Sequence, residues 1–280
     1  MSDQASTEMF VAAKQPKTRL VLSSRATTII YPLITFACLL VIWEASVVAF
    51  NVPDYMFPRI LPVLREIWIG YVDGGLLYPH LSYTLQSTFY GYLIGCGFAI
   101  LVGTVLAESR TFEKFVYPFV VALQSTPKVA VAPLIMLWLG YGLSSKIAMV
   151  AMMCFFPLFV NTVTGIRQTD PALVDMMRAF SAPGWLTFFR IKIFAAAGHI
   201  FSGLQISIVF ALIGAVVGEF VASSQGLGWL IQSAMANFNT PLMFACIISL
   251  IMLGLMGTAI VRFAHRRIAF WDNSSKPASH

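Results

Sequence analysis

Six windows of this chain carry long apolar runs almost free of charge: 27–50, 83–107, 115–139, 147–166, 195–221 and 242–263. A bilayer core about 30 Å thick is crossed by about 20 apolar residues in a helix, so each window predicts a transmembrane span. Runs such as "LLVIW", "FAILVGTVL" and "IISLIMLGLM" are continuously apolar instead of alternating. That excludes β-barrel strands and predicts an all-α polytopic membrane protein. The longest intervals, 51–82 and 167–194, leave little room for a soluble domain. The expected organisation is a short polar segment over 1–26, a transmembrane domain over 27–265 and a tail over 266–280.

Composition agrees with this pattern, with 58% hydrophobic and only 11% charged residues in 280. The placement of charge adds orientation. Lys14, Lys17, Arg19 and Arg25 precede span one; Arg110 and Lys114 follow span two; Arg167, Arg178, Arg190 and Lys192 follow span four; Arg262, Arg266, Arg267 and Lys276 follow span six. The alternate loops keep only Arg59, Arg65 and Lys146. By the positive-inside rule this predicts six crossings with both termini cytoplasmic, and it sets the excess of positive charge against lipid instead of nucleic acid. The first helix is long enough to stay in the membrane, so it is expected to target the chain itself. Cys38, Cys96, Cys154 and Cys246 fall inside spans without a metal-binding spacing, as small buried hydrophobes do.

Four local features interrupt the apolar pattern. The outer loop 51–82 is rich in proline, with one short amphipathic helix predicted from Pro62 to Tyr71. "GYLIG" in span two and "GAVVG" in span five have the spacing that lets helices approach closely, within the chain or between subunits. Span three holds Pro118, Pro127 and Pro133, which predicts a helix broken at mid-depth beside Lys128. An intramembrane lysine either serves a pathway or is neutralised, here by Glu219 or Glu44, or by snorkelling to the surface. Glu219 precedes an uncharged glycine-rich loop, and its alternatives are an outer-gate carboxylate or one exposed to outer water.

Catalytic chemistry is missing. His80, His199, His265 and His280 are scattered, no HExxH stands in the chain, and no GxxxxGK[ST] is available to cradle nucleotide phosphates. No catalytic, cofactor or metal site is expected; passage of a solute is. The expected pathway is Pro127, Lys128, Pro133 and Glu219, with Gly226 and Gly228 near an outer gate.

The segment "TDPALVDMMRAFSAPGWLTFFRIK" remains. Asp170 followed by Pro171 is a helix start, and Leu173, Met176/Met177 and Phe180 then form one apolar stripe with Asp175 and Arg178 off it. "SAPG" predicts a break over 181–184, and a second short amphipathic helix follows over 185–191. This arrangement resembles the "EAA" loop of binding-protein-dependent ABC importer permeases. Asp175 stands at the glutamate, Met176 and Met177 at the alanines, Ser181 at the glycine, Ile191 at the isoleucine, Ile193 at the leucine and Phe194 at the proline. "QSTPKVAVAPLIMLWLGYG", "VVGEFVASSQGLGWLI" and "FPLFVNTVTGIRQTDPAL" are similar to stretches of the nitrate, sulfonate and taurine class of these permeases.

The resemblance implies a type I (MetI-like) permease fold in a bacterial cytoplasmic (inner) membrane, importing a small anion. It implies a second permease copy, as a homodimer or a paired heterodimer, a periplasmic solute-binding protein, and two cytoplasmic ABC ATPases that hold the ATP and Mg. The ATPases would couple through Asp175, Met176, Met177, Arg178, Ala179, Phe180, Ser181, Ala182 and Gly184. Methionines in place of alanines make that face bulkier and imply a matched ATPase. Related members carry pyrimidine precursors of thiamine or riboflavin; the rival class is an ion-coupled secondary carrier.

Overall fold

The computed structural model describes residues 24–271. Lys14, Lys17, Arg19, Lys276 and His280, and with them most of the two terminal segments, lie outside the described residues. The chain divides into two compact units, residues 1–52 and 53–280.

In the first unit, helix α1 (Ser24–Ala49) carries the first apolar span. Two of its hydroxyls fold back on the helix: Thr35 Oγ1 donates to Tyr31 O at 2.9 Å and Ser46 Oγ to Ile42 O at 2.6 Å. In lipid such internal bonding satisfies a hydroxyl that has no water to bond. The helix stops at Asn51, whose φ of 48° is the left-handed turn that asparagine tolerates.

The second unit is all helical among its described residues. Helix α2 (Ile60–Trp68) and a π-helical turn (Ile69–Asp73) form the short amphipathic element expected near Pro62–Tyr71. Tyr71 hydroxyl donates to Ser249 Oγ at 2.8 Å, and burial raises its phenol above the ordinary range. Helix α3 (Leu77–Glu108) begins six residues before the predicted span, with Pro79 in its first turn, where an amide has no helical acceptor to lose.

The third span is broken, at one proline only. Helices α4 (Arg110–Ser125) and α5 (Lys128–Leu139) meet at 101°. Thr126 is extended, with ψ 132°, because the following Pro127 ring disfavours helical geometry in its predecessor. Pro118 and Pro133 sit inside the two helices without ending them, each removing one internal bond.

Helix α6 (Leu143–Arg167) packs between α3 and α9 (Ile193–Ala222). Glycines make both contacts close. On α3, Gly91 and Gly95 lie on Val150 and Ala151; on α9, Gly203 and Gly214 lie on Leu158 and Val150; Gly165 of α6 receives Ala196 and His199. The two GxxxG motifs thus both close on α6, meeting at Val150, and a methyl group at Gly95 would meet the Ala151 backbone at 2.5–3.0 Å. Cys96, Val150, Cys154, Leu158, Ala211 and Ala215 fill the resulting core.

Helix α7 (Pro171–Ala179) begins as predicted: Asp170 Oδ1 accepts from Ala172 N at 2.9 Å and Pro171 opens the helix. The predicted second helix is not separate. Helix α8 (Gly184–Thr187) continues through a π-helical turn (Phe188–Lys192) into α9, forming one apolar run of 38 residues from Gly184 to Val221. No proline interrupts that run, so the elbow is the only break. Helices α10 (Leu227–Ala236) and α11 (Thr240–Ile268) close the unit. Among the described residues five helices are long and apolar enough to cross a membrane, or six where the bent α4–α5 pair is counted as one broken span.

Candidate functional site

Lys128 stands at the first position of α5, immediately after the bend. A cation there opposes the positive end of the helix dipole, an arrangement costing about 0.3–1 kcal/mol where nothing anionic is near. Its Nζ reaches back across the bend to Gln124 O at 3.2 Å and lies 4.7 Å from the centre of the Phe156 ring. Two cavities adjoin it. One of about 630 Å³ is lined by Ile94, Phe98, Val116, Phe119, Phe155 and neighbours; the other, about 290 Å³, is lined by Gln124, Asn161, Ile206, Phe210 and neighbours. Pro127 caps α5 and Pro133 is exposed on it; neither is among the lining residues.

Glu219 lies elsewhere, at the α10 end of the bundle, with 0% of its surface exposed. Thr84 Oγ1 donates to its Oε1 at 2.8 Å, and Gly228 N donates to its Oε2 at 2.7 Å. Thr84 Oγ1 also accepts from Leu227 N at 2.8 Å, and His80 Nδ1 accepts from Gly226 N at 3.1 Å. The His80 ring stacks on Trp229, centroids 5.2 Å apart. Three of the free amides that open α10 are therefore held by side chains of α3 and α9. Gly226 is required twice over: its φ of 107° suits only glycine, and a methyl group would run into the Glu219 carboxyl.

The cation that balances Glu219 is Lys146, not Lys128. Lys146 is fully buried in the first turn of α6, lies along Gly218, and donates from Nζ to Tyr141 O at 2.7 Å; its charge and that of Glu219 attract each other. The reading of Glu219 as a carboxylate exposed to water is corrected on the same ground. A carboxylate sunk in an apolar bundle needs paired donors and a cation, and all are supplied here.

At the opposite end, α7 presents the expected stripe outward. Among its described residues none is buried; Met176 is 44% exposed and Phe180, just past the helix, 78%. Asp175 and Arg178 pair with each other at 3.0 Å on the exposed surface. The helix ends in a Schellman turn, with Ser181 N donating to Arg178 O at 2.8 Å and Ala182 N to Met177 O at 3.0 Å. Ser181 occupies the left-handed position of that turn, φ 53°. Past the elbow the chain is anchored: Lys192 pairs with Glu108 of α3 at 2.6 Å, while Arg167 at the end of α6 pairs with Glu113 of α4 at 2.7 Å.

The structure thus groups Glu219 with Gly226 and Gly228, groups Asp175 through Gly184 on one elbow, and leaves Lys128 apart from both. Sequence reasoning missed His80, Thr84 and Lys146. Lys146 had a readable signal: a buried carboxylate late in span five demands a cation at the same end, and the start of span four supplies one. His80 and Thr84 had none: the α3 start was placed after His80, and Thr84 was one more residue of an apolar span. No cluster of histidine, cysteine or acidic side chains suited to a metal ion occurs among the described residues.

Residues 95–270 match the family model for the binding-protein-dependent transport system inner membrane component. The riboflavin transport system permease protein RibX of Chloroflexus aurantiacus is 34% identical over 241 residues, 86% of this chain and 90% of that protein. The aliphatic sulfonates transport permease protein SsuC, a putative assignment in Bacillus subtilis, is 32% identical over 201 residues, 72% of this chain and 73% of that one. Among solved structures, an inward-facing form of the MetNI methionine ABC transporter has a chain of the same fold, with a TM-score of 0.53 at 18% identity, covering 76% of this chain and 96% of that chain. The chain therefore belongs to the binding-protein-dependent inner membrane components, as a multi-pass permease subunit of an ABC importer that carries solute and is not itself an enzyme.

Proposed function

We propose that this permease passes a small organic or inorganic anion, of the nitrate, sulfonate or taurine kind, across a bacterial inner membrane as one half of a dimer. Lys128 carries the reading: an intramembrane cation, set at the amide end of α5 beside two cavities, gives a favourable field to an anion and to little else. In this reading both termini are cytoplasmic, α7 and its elbow face two ATPase subunits, and the α10 end faces a periplasmic binding protein. ATPase closure would move the elbow, and with it the π-helical turn and α9, so the bundle rocks between inward- and outward-open states.

The test is uptake by the assembled complex carrying Lys128→Met. Loss of uptake of at least about tenfold, with assembly intact, is expected; unchanged uptake removes Lys128 from the pathway. A second reading, a pyrimidine- or flavin-type vitamin precursor, is favoured by Phe98, Phe112, Phe119, Phe155 and Phe156 around the larger cavity. It predicts uptake of a neutral ring that is indifferent to Lys128→Met. Uptake driven by an ion gradient without ATP would replace both with a secondary carrier.

A further inference from the structure

The loop that carries α7 is bracketed by two cations. Arg167 ends α6 just before the Asp170 cap, and Lys192 ends the π-helical turn past the elbow. Both reach the same place. Arg167 Nη2 lies 2.7 Å from Glu113 Oε2 and also donates to Leu106 O at 3.4 Å, while Lys192 Nζ lies 2.6 Å from Glu108 Oε1. Glu108 is the last residue of α3 and Glu113 lies in the first turn of α4, so the two ion pairs close on the short junction 108–113. Pairs whose side chains are 23–40% exposed stabilise a fold little. What two of them on one junction do fix is the position of the α7 loop against the base of α4.

From that junction α4 starts as a capped helix: Ser109 Oγ accepts from Phe112 N at 3.2 Å, and the Glu113 carboxylate stands at the positive end of the helix dipole. Its 16 residues, at about 1.5 Å each, span about 24 Å and end at the bend beside Pro127 and Lys128. Along that length the helix is thinly packed. Phe112, Val116, Phe119, Val120 and Leu123 border the cavity of about 630 Å³, and Phe115 and Tyr117 are exposed. Empty space beside a helix gives it room to tilt, which a close-packed interior denies. Resting on the reading of α7 as the ATPase-facing helix, we infer that Glu108 and Glu113 are coupling residues: they pass a displacement of the α7 loop to the base of α4, which tilts into the cavity and carries the Pro127 bend and Lys128 with it. This route is separate from the one through the π-helical turn and α9.

The test places one fluorescent bimane label at a time on the permease–ATPase complex in lipid nanodiscs, at Ser125→Cys beside the bend or at Phe189→Cys past the elbow. Cys38→Ser removes the exposed native thiol. The emission shift on trapping the ATPases with ATP and vanadate is read, and with the ion pairs intact both labels are expected to shift. With Glu108→Gln and Glu113→Gln together, the label past the elbow keeps its shift. The label beside the bend loses its own by about fivefold, the factor given by about 1 kcal/mol of lost pairing. Glu113→Arg alone also loses it, and Arg167→Glu added to Glu113→Arg returns it; an arginine there opposes the α4 dipole, so the return reports the pair and not the cap. An undiminished shift beside the bend in the double glutamine variant overturns the inference and leaves the α7 reading standing. So does a bend label that stays still while the elbow label shifts in the complex with both pairs intact, and so does a loss that the exchanged pair fails to return. If the bound ATPases shift neither label in that complex, the α7 reading falls and the inference with it.

Discussion

Around Glu219 the hydrogen-bonding groups meet partners inside the protein, while along α7 no described residue is buried. In the function proposed above the two regions have similar work, each facing a partner of the bundle, yet they are built on opposite terms. The α10 end is held by directional contacts from α3 and α9 onto the opening turn of a short helix, with Lys146 behind them. The α7 end is tied on either side of the helix, through Arg167 and Glu113 before it and Lys192 and Glu108 past its elbow, and leaves its apolar stripe uncovered. A buried polar network is costly to break in part and so defines one position. An exposed apolar stripe defines no position until a partner covers it. Perturbing the first should therefore damage the bundle, and perturbing the second should damage only its coupling.

The largest effect is expected at Glu219. Glu219→Gln removes the negative charge facing Lys146 and sets an amide NH2 against one of the two donors, Thr84 Oγ1 or Gly228 N, that the carboxylate accepts from. Breaking one half of a buried pair costs about 3–5 kcal/mol, so the unfolding midpoint of the purified complex should fall and amides 226–236 should exchange faster. Adding Lys146→Met should restore more than half of the loss, because removing both charges is far cheaper than removing one. Additive losses in the double variant would show that the two charges do not act on each other.

Much of this contrast could be read from sequence, and what could not has a physical cause. Six spans, the Asp170 cap, the elbow after Ala179 and the break at Pro127 follow from local rules: apolar length, capping chemistry and the missing proline amide. Pro118 and Pro133 did not break their helices, since each removes a single internal bond and the rest of the ladder holds. The pairing of Glu219 escaped because Lys146 lies 73 positions earlier and joins it only when Gly218 packs α9 against α6. His80 and Thr84 are ordinary residues of an apolar helix until the Gly226 turn brings amides to them. The site at Lys128 was half legible: its cation stood out in an apolar window, whereas the two cavities beside it exist only once α3, α4, α5, α6 and α9 are assembled.

At the other end, Phe180→Asp places a charge in the exposed stripe without touching the core. Uptake and ATPase association should fall by roughly thirtyfold or more, the scale of a lost interface anchor of about 2 kcal/mol. The unfolding midpoint of the permease alone should stay within about 0.5 kcal/mol of the wild type. Retained ATPase binding would mean that the stripe is not the docking face. A lowered midpoint would mean that α7 is packed against the bundle after all, and the contrast with the α10 end would dissolve.

The smallest effect separates the elbow from its helix. Ser181 holds φ 53° at the position where the EAA pattern has glycine, and its amide and that of Ala182 close the Schellman turn on α7. A side chain in the left-handed region costs about 1 kcal/mol, and glycine removes that cost while adding some freedom to the unfolded chain. Ser181→Gly should therefore strengthen the cap by a few tenths of a kcal/mol, seen as slower exchange of the amides at 180–182. Ser181→Val should do the reverse and by more, because a β-branched side chain is least at ease there. Both changes should leave the amides of α10 untouched, since the two ends share no contact through this residue. If Ser181→Gly instead weakens α7, the hydroxyl is making the turn, and the glycine at this position in related permeases answers a different need, such as close approach of the ATPase backbone.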